Sequence, residues 1–538
     1  MDPVELKSIG HASREVDGGN SRKDRDAAHL ARVGKRAVLG RNFGLMSILG
    51  FSCTILCTWE AIFPSFLQAF QKYKYVSGGP AGAVYGYILV WIGTAGNFLV
   101  LSELVSMAPT SGGQYHWCSM LAPRRFMKLS SYVTGWMAVV GWQATFASLC
   151  YIDGTLIQAA VILTHSEYVP KKWHTLLMSW AVLCFALFVN SVGRKVLPKF
   201  EGFVLILHIV GFFAILIPMV YLGDHNSNEW VFKTWNNYGN WSTQGLSFFV
   251  GLLGPVATFA GGDAAIHMVE EIENATKLVP WSIMLSVLIN GSLGFGMLLA
   301  ALYCVSDVEA AINSATGYPF VEILLQATGS VSGTAVLLAV SIILNISACT
   351  GMLAASSRQF WSFSRDRAIP GWRIWSYVSK KNLIPIYSVA ITCVISAVLN
   401  LIPLGSAVAF NDLLAMSVTG LFLSYIICTA QLLYRRIRGE VGQATGGDEV
   451  VNTAGAKLVW GPFYIPGTLG IINNAWALIY MVVIVFFSFW PPATPVTVET
   501  MNFSVVGTMG TLILSLCYYL VRARKVYEGP IIEVQKNW

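Results

Sequence analysis

Twelve long, mostly apolar stretches constrain the fold of this chain more than any other feature of its sequence. A helix rises about 1.5 Å per residue and the hydrocarbon core of a bilayer is about 30 Å thick, so about 20 apolar residues can cross a membrane. The predicted spans are residues 43–70, 80–106, 131–163, 174–193, 200–222, 244–270, 280–305, 331–357, 384–405, 408–434, 466–490 and 501–522. We therefore expect an all-α polytopic membrane protein with twelve transmembrane helices.

The composition excludes several water-soluble classes of protein. Only 12% of the residues are charged and 55% are hydrophobic, whereas soluble domains carry about 25% charged residues. A soluble enzyme, a disordered scaffold and a nucleic-acid binder are therefore excluded, and the lipid bilayer is the expected surrounding. The ten cysteines show no paired close spacing, so we predict neither a disulfide framework nor a metal site, and no cofactor.

The basic residues predict how the chain is oriented. With twelve spans, one side of the membrane receives 30 Lys and Arg residues and the other side receives five, and the richer side is expected to be cytosolic. Both termini then face the cytosol. Residues 1–42 are predicted to be a disordered cytosolic tail, residues 43–525 the membrane domain and residues 526–538 a cytosolic C-terminal tail. Asn240 begins an Asn-x-Ser sequon in a predicted outside loop, so we expect it to be open to glycosylation.

Two of the predicted spans contain polar residues and helix breakers. The first carries small polar residues and Glu60, and the sixth carries Gly254-Pro255 and Gly261-Gly262-Asp263. Interrupted backbone at membrane depth is tolerated only beside a cavity or buried protein. The two spans lie five apart, as in an inverted repeat of five plus five helices with discontinuous helices 1 and 6. Gly and Pro are also generally common in membrane helices, but the matched pair favours the repeat.

On this interpretation residues 43–222 form the first repeat, residues 244–434 form the second, and residues 466–522 form helices eleven and twelve.

Three motifs carry a family resemblance. Residues 102–117 follow the second span and contain Ser-Gly-Gly-Gln-Tyr; residues 263–280 leave the sixth span with an acidic run; residues 357–370 contain Arg-Asp-x-x-x-Pro. Together they resemble the signatures of the amino acid–polyamine–organocation superfamily, especially its fungal amino acid/choline permeases.

The resemblance extends over residues 43–525 and implies a secondary transporter. Members of the superfamily move amino acids, γ-aminobutyrate, polyamines or choline by alternating access, commonly driven by protons. A small amine or amino acid is thus the expected substrate, the proton the expected coupling ion, and the plasma membrane the expected location. Trp59-Glu60 and the Gly-Gly-Asp sequence of the sixth span look most like the choline and γ-aminobutyrate branch.

The resemblance also places the substrate between the two interrupted spans. The residues that it assigns to substrate binding are Thr54, Leu56, Cys57, Thr58, Trp59, Glu60, Phe259, Ala260, Gly261, Gly262 and Asp263. An indole face such as that of Trp59 attracts ammonium groups, and the Glu60 carboxylate would supply the opposite charge. Three alternatives remain open: small polar residues that pack helices, a structural ion pair for Glu60, and helix capping by Asp263.

Further charged residues are assigned to proton coupling and gating. Glu60, Asp263 and His208 are candidates for proton coupling, because a histidine titrates near neutral pH, although a lone membrane histidine can also be a packing residue. Asp153 and Asn345 face an unknown direction. Near the cytosolic rim, charge pairs that stabilise the inward-closed arrangement are expected from Glu103, Arg358, Arg365 and Asp366.

Two other classes of function are alternatives to a permease. A nutrient sensor of the same fold would signal through its tails and transport little, but both tails are short. A membrane enzyme would need a metal-ligand cluster, a nucleophile elbow or a phosphate loop, and the sequence contains none of these motifs. We therefore predict a transporter and not an enzyme.

Overall fold

The computed structural model describes residues 26–60, 78–192, 196–405, 409–443, 450–498 and 500–533. Within these ranges the chain is mostly helical and forms no β-strand. The first helices are α1 (26–32), α2 (Leu45–Leu56), α3 (Gly79–Met107), α4 (Gln114–Leu121), α5 (Met127–Thr164), α6 (Lys172–Val192), α7 (Val196–Leu222), α8 (Asn228–Lys233), α9 (Gln244–Gly251), α10 (Leu253–Thr258) and α11 (Ala264–His267). They are followed by α12 (Ala275–Cys304), α13 (Val308–Ile312), α14 (Pro319–Thr328), α15 (Val331–Arg365), α16 (Trp372–Trp375), α17 (Ile386–Leu399), α18 (Ile402–Gly405), α19 (Ala409–Ile437), α20 (Gly467–Ser488) and α21 (Ser504–Val521).

Among the described residues, ten helical stretches are long and apolar enough to cross a membrane. They are α3, α5, α6, α7, α12, α15, the continuous stretch of α17 and α18, α19, α20 and α21. Each coincides with a predicted span. The two remaining predicted spans are the first and the sixth, where the described chain has only shorter apolar helices. Residues 61–70 of the first span lie outside the described residues, so the total of twelve stays a prediction.

Local backbone geometry explains why these two segments are interrupted. Helix α2 ends at Leu56 because Cys57 has φ 45° and ψ 37°, a left-handed conformation that residues with side chains rarely adopt. In the second segment, α10 ends at Thr258 and the chain turns through Gly261, whose φ of 91° favours glycine. A helical turn resumes only at Ala264. Both predicted breaks therefore coincide with observed departures from helical geometry.

The long helix α5 forms the centre of the bundle and packs against α6, α15 and α19. It approaches α19 most closely at Gly141 and Gly420, where a Cβ atom added to Gly420 would lie 2.6 Å from the Gly141 nitrogen. Helices in a membrane pack through such small residues because lipid supplies little hydrophobic driving force for their association. This glycine contact therefore fixes the distance between the two helices.

Part of the predicted N-terminal tail is folded in the structure. Leu30 and Val33 are buried, and Lys35 is only 1% exposed. In the C-terminal segment, the Glu533 amide donates to the Gly34 carbonyl at 2.7 Å, so both terminal segments lie on one face of the bundle. The predicted disorder does not extend to residues 26–42, because their apolar side chains pack on the bundle and Lys35 has an acidic partner there. Residues 1–25 lie outside the described part of the chain.

Leucine at position 420 should destabilise the fold strongly, whereas leucine at position 510 should not. A larger side chain in the Gly420 contact must push α5 and α19 apart, and overpacking of this kind costs about 1–3 kcal/mol. A Cβ atom added to Gly510 meets nothing within 4 Å. Thermal unfolding in detergent, followed with a thiol-reactive dye that detects the buried cysteines, should show a lower midpoint for Gly420→Leu alone. Equal midpoints would contradict this packing analysis.

Candidate functional site

The two interrupted segments meet inside the bundle. A Cβ atom added to Gly261 would lie 3.2 Å from the Ile55 side chain, and one added to Gly262 would lie 3.1 Å from Leu56 and 2.0 Å from Phe98. No side chain larger than hydrogen fits at Gly262 unless Phe98 moves. The glycines thus allow the second break to lie directly against the end of α2.

A small cavity of about 50 Å³ lies beside this contact. It has room for about three or four water molecules, so the structure shows a closed conformation of the site. Its lining comes from both breaks and from three long helices, and comprises Ile55, Leu56, Cys57, Thr145, Ser148, Leu149, Ile152, Ala257, Ala260, Met352, Leu414 and Ser417. Three of the residues predicted to bind substrate, Leu56, Cys57 and Ala260, are among them.

Three hydroxyl groups of the cavity were not predicted from the sequence. Thr145 Oγ1 and Ser417 Oγ lie 2.5 Å apart and share a hydrogen bond between α5 and α19. Ser148 Oγ is buried and has no hydrogen-bond partner among the described residues. In the first span, small polar residues inside an apolar stretch indicate a binding site. The same pattern in α5 indicates Thr145 and Ser148.

Other predicted residues of the first break point away from the cavity. Thr54 Oγ1 donates to the Gly50 carbonyl within its own helix at 2.8 Å. Thr58 Oγ1 donates to the Asn290 carbonyl of α12 at 2.6 Å. The Trp59 ring packs against Phe212 of α7, with 5.9 Å between the ring centroids. Thr58 and Trp59 therefore anchor the end of α2 to α12 and α7, whereas the Thr54 hydroxyl is bound within α2 itself.

Glu60 and His208 form a buried pair between the first break and α7. Glu60 Oε1 and His208 Nδ1 are 2.6 Å apart, and both side chains are fully buried. The second carboxylate oxygen and His208 Nε2 have no hydrogen-bond partner among the described residues. The structure thus brings together two of the three residues predicted for proton coupling.

Asp263 belongs to a second buried polar cluster. Its Oδ2 atom accepts a hydrogen bond from Gln114 Nε2 at 2.6 Å and from Trp142 Nε1 at 3.3 Å, and it lies 3.3 Å from His267 Nε2. Asp263 precedes α11, but its side chain makes no capping hydrogen bond. The capping alternative therefore does not describe the geometry. Phe259, which was also predicted to bind substrate, packs against Tyr87 outside this cluster.

The four charged residues predicted near the rim each form an ion pair with another segment. The pairs are Glu103–Arg436 at 2.5 Å, Arg358–Glu271 at 2.8 Å, Arg365–Glu270 at 2.9 Å and Asp366–Lys35 at 2.6 Å. Glu270 and Glu271 follow the second break directly, so two of the pairs tie that segment to α15. These four ion pairs form a network that links the helices on the side of the bundle where the terminal segments lie.

Asp366 is the most connected residue of this network. Its carboxylate accepts hydrogen bonds from Lys35 Nζ at 2.6 Å, Tyr115 OH at 2.7 Å and the Ile531 amide at 2.9 Å. Burial alone would raise the pKa of Asp366, but the positive charges of Lys35 and Arg365 outweigh it and hold this pKa below its ordinary value. The group is therefore ionised at neutral pH and joins both terminal segments to the end of α15.

The structure also shows the surroundings of Asp153, Asn345 and Asn240, which were named from the sequence. Asp153 of α5 is fully buried, and neither carboxylate oxygen has a hydrogen-bond partner among the described residues. Asn345 Nδ2 donates to the Ser341 carbonyl of its own helix at 3.0 Å. Asn240 is exposed in a loop, which is compatible with the predicted glycosylation.

Known proteins are similar to this chain over nearly its whole length. Residues 43–511 match the family model described as amino acid permease. The chain is 30% identical to a choline transporter of Saccharomyces cerevisiae, covering 94% of this chain and 86% of the relative. It is also 30% identical to an uncharacterized amino-acid permease of Schizosaccharomyces pombe, covering 98% and 94%. It is 29% identical to an amino-acid permease of Arabidopsis thaliana, covering 95% and 97%.

Replacing Lys35 by methionine should destabilise the protein far more than replacing Lys233. Lys35→Met leaves the Asp366 charge buried without its closest cation, and breaking a buried pair in this way costs roughly 3–5 kcal/mol. The matched control is Lys233→Met, because Lys233 pairs with Glu229 on the surface, where both side chains are more than 70% exposed. Thermal midpoints of the purified variants would measure the difference, and an unchanged midpoint for Lys35→Met would contradict a stabilising role of the pair.

Proposed function

The chain belongs to the amino acid permease family, and on this basis we propose that it is a secondary active transporter that moves a small amine by alternating access. The observation that carries the proposal is the contact between the two interrupted segments beside a small, mostly apolar cavity that contains three hydroxyl groups. Irregular backbone at membrane depth is kept where it lines a pathway for a solute. An opening of this cavity to one side and then to the other would carry the solute across.

The full architecture that we propose has twelve spans in a five-plus-five inverted repeat. Ten helical stretches of the required length and two shorter interrupted segments support this number. The interrupted segments lie five spans apart in the predicted order, which is the spacing that such a repeat requires. The glycine contact between the segments supports the pseudo-symmetric arrangement of the two halves.

We propose a cationic amine such as choline as the substrate, with a neutral amine such as an amino acid or γ-aminobutyrate as the alternative. The carboxylate of Glu60 follows the first break directly, three residues after Cys57. No Lys or Arg is found in the described lining of the cavity. Negative charge without basic side chains favours a cation at this depth, since a bare carboxylate in the membrane is costly. The name of the yeast relative agrees with this choice.

Each group of site residues receives a role in this proposal. Backbone groups freed at Leu56, Cys57 and Ala260, together with the cavity hydroxyls, would bind the polar end of the substrate. Gly261 and Gly262 would allow the solute to lie against the main chain. Thr54, Thr58 and Trp59 would hold the end of α2 in position, and Phe259 would close over the bound solute.

Gating and coupling are assigned to the buried charged groups. The Glu60–His208 pair and the Asp263–His267 contact are the candidates for proton exchange, because each joins a carboxylate to a histidine. The ion pairs at the face with the terminal segments would keep the inward side closed. That face carries most of the Lys and Arg residues, so we place it in the cytosol and the protein in the plasma membrane.

One observation favours a second candidate function, that of a nutrient sensor. The terminal segments bind the same carboxylate, Asp366, that closes the ion-pair network. A change in the bundle would therefore reach both termini. Accumulation of labelled solute by proteoliposomes supports the transporter, whereas binding of the solute without uptake supports the sensor.

Replacing Glu60 by glutamine should reduce uptake of a cationic amine. The change removes the negative charge of the pair with His208, and we expect uptake to fall about tenfold or more at unchanged surface expression. Radiolabelled choline uptake by intact cells, with γ-aminobutyrate and neutral and basic amino acids as competitors, would measure it. Glu229→Gln on the exposed surface is the control. Normal uptake by Glu60→Gln would remove Glu60 from the mechanism.

Leucine at position 262 should block transport, and leucine at position 202 should not. The added side chain at Gly262 must displace Phe98 and Leu56 and would separate the two breaks, whereas a Cβ atom added to Gly202 meets nothing within 4 Å. The same choline uptake assay, normalised to the amount of protein at the surface, compares the two variants. A fully active Gly262→Leu variant would mean that the solute crosses elsewhere.

A further inference from the structure

Glu201 of α7 is a buried carboxyl group that no part of the ion-pair network uses. It is fully buried, and neither of its carboxyl oxygens has a hydrogen-bond partner among the described residues. No hydrogen bond or ion pair of the described residues therefore compensates the burial of this carboxyl group. Its lack of a partner separates it from Glu60, which has His208, and from Asp263, which has Gln114.

The group lies at the junction of three helices. A Cβ atom added to Gly50 of α2 would lie 2.3 Å from the Glu201 carbonyl oxygen, so α2 and α7 are in backbone contact there. A Cβ atom added to Gly351 of α15 would lie 3.3 Å from Glu201 Oε1 and 3.0 Å from Ile55. Glu201 is thus enclosed where α7 and α15 meet the helix that leads to the first break.

The titratable groups around this junction are acids, thiols and one histidine. His208 lies about two helical turns further along α7 and is paired with Glu60; Lys199, on the same helix, is exposed. The neighbouring elements contribute Cys53 from α2 and Cys57 at its end, Asp153 from α5 and Cys349 from α15. Cys184 of α6 is exposed. Cys304 of α12 and the helix α14 that carries Glu322 meet the opposite end of α7, where a Cβ atom added to Gly223 would lie 3.3 Å from Cys304 and 3.2 Å from Ala327. Among the described residues, no Lys or Arg faces Glu201.

An unpaired carboxylate at this depth would cost several kcal/mol, so the carboxyl group is stable there with a proton bound. We propose that Glu201 carries the coupled proton of the transport cycle. The carboxylate takes up one proton when water reaches it from outside, and the neutral acid persists while α2, α7 and α15 are packed together. It releases that proton when α2 separates from α7 and water enters from the inside. This inference rests on the proposed function as a transporter.

The geometry favours Glu201 over the Glu60–His208 pair as the group whose net charge changes. In the pair a proton can pass between the carboxylate and the imidazole without any change in the total charge, and the two groups stay bonded to each other. Glu201 has no such partner, so binding or loss of a proton changes the charge enclosed by the three helices. Only a change of net charge at the moving junction makes the packing of α2 depend on the proton.

The test uses the purified full-length protein in proteoliposomes and two assays with radiolabelled choline. Exchange of internal for external choline needs no net proton movement, whereas accumulation against a gradient with an acidic exterior does. In Glu201→Gln the side chain is an uncharged amide at every pH, so it mimics the protonated carboxyl group permanently. We expect it to retain exchange, to lose accumulation driven by the proton gradient, and to lose the pH dependence of uptake. Glu201→Asp should retain accumulation.

Asp153→Asn is the matched control, because Asp153 is equally buried and its oxygens are equally unpartnered. It should retain driven accumulation. Normal accumulation by Glu201→Gln would overturn the proposal, as would equal losses in Glu201→Gln and Asp153→Asn. Loss of both exchange and accumulation in a folded Glu201→Gln protein would assign the residue to substrate binding instead. If the unmodified protein exchanges choline but does not accumulate it in response to the proton gradient, proton coupling is contradicted and the transport function is supported. If the unmodified protein moves neither choline nor any competitor, the proposed transport function itself is contradicted.

Discussion

The direct contact between two interrupted helices is the constraint on which the rest of the structure depends. It exists because Gly261 and Gly262 present bare main chain to Ile55 and Leu56. Backbone amides released from a helix inside a bilayer find no water and must be satisfied by protein or in a cavity. The contact therefore determines where the cavity can lie and which helices surround it, among them α5, α15 and α19.

Two kinds of buried charge surround this contact and behave differently. At the face that carries the terminal segments, the buried carboxylates of the ion-pair network each have a cation within hydrogen-bond distance, as in the bidentate contact of Arg365 with Glu270. Such pairs are strong when they are complete and costly when one partner is lost. In the middle of the bundle, Asp153 and Glu201 have no partner among the described residues. The paired charges hold one conformation, whereas the proposal for Glu201 makes its protonation depend on whether water can reach it.

The sequence predicted the helices and their interruptions well, because these follow from hydropathy, Gly and Pro. It predicted the cavity only in part. Leu56, Cys57 and Ala260 line it, but Thr58 and Trp59 do not, since the left-handed backbone of Cys57 turns the following side chains towards α7 and α12. The partner of Asp366 could not be predicted, because Lys35 lies 331 residues away in a charged segment that looked disordered. Glu201 was missed because it stands at the start of a strongly apolar span.

The shared carboxylate of Asp366 has a consequence for how the chain is assembled. Lys35 and the Ile531 amide bond the same oxygen atom, Oδ1. During synthesis Lys35 leaves the ribosome long before Asp366, and Ile531 follows only after every long helix has been made. A chain that stops short of Ile531 leaves this oxygen with an incomplete set of donors. The contact therefore closes only when two segments that lie 331 and 165 residues from Asp366 along the chain have both reached the end of α15.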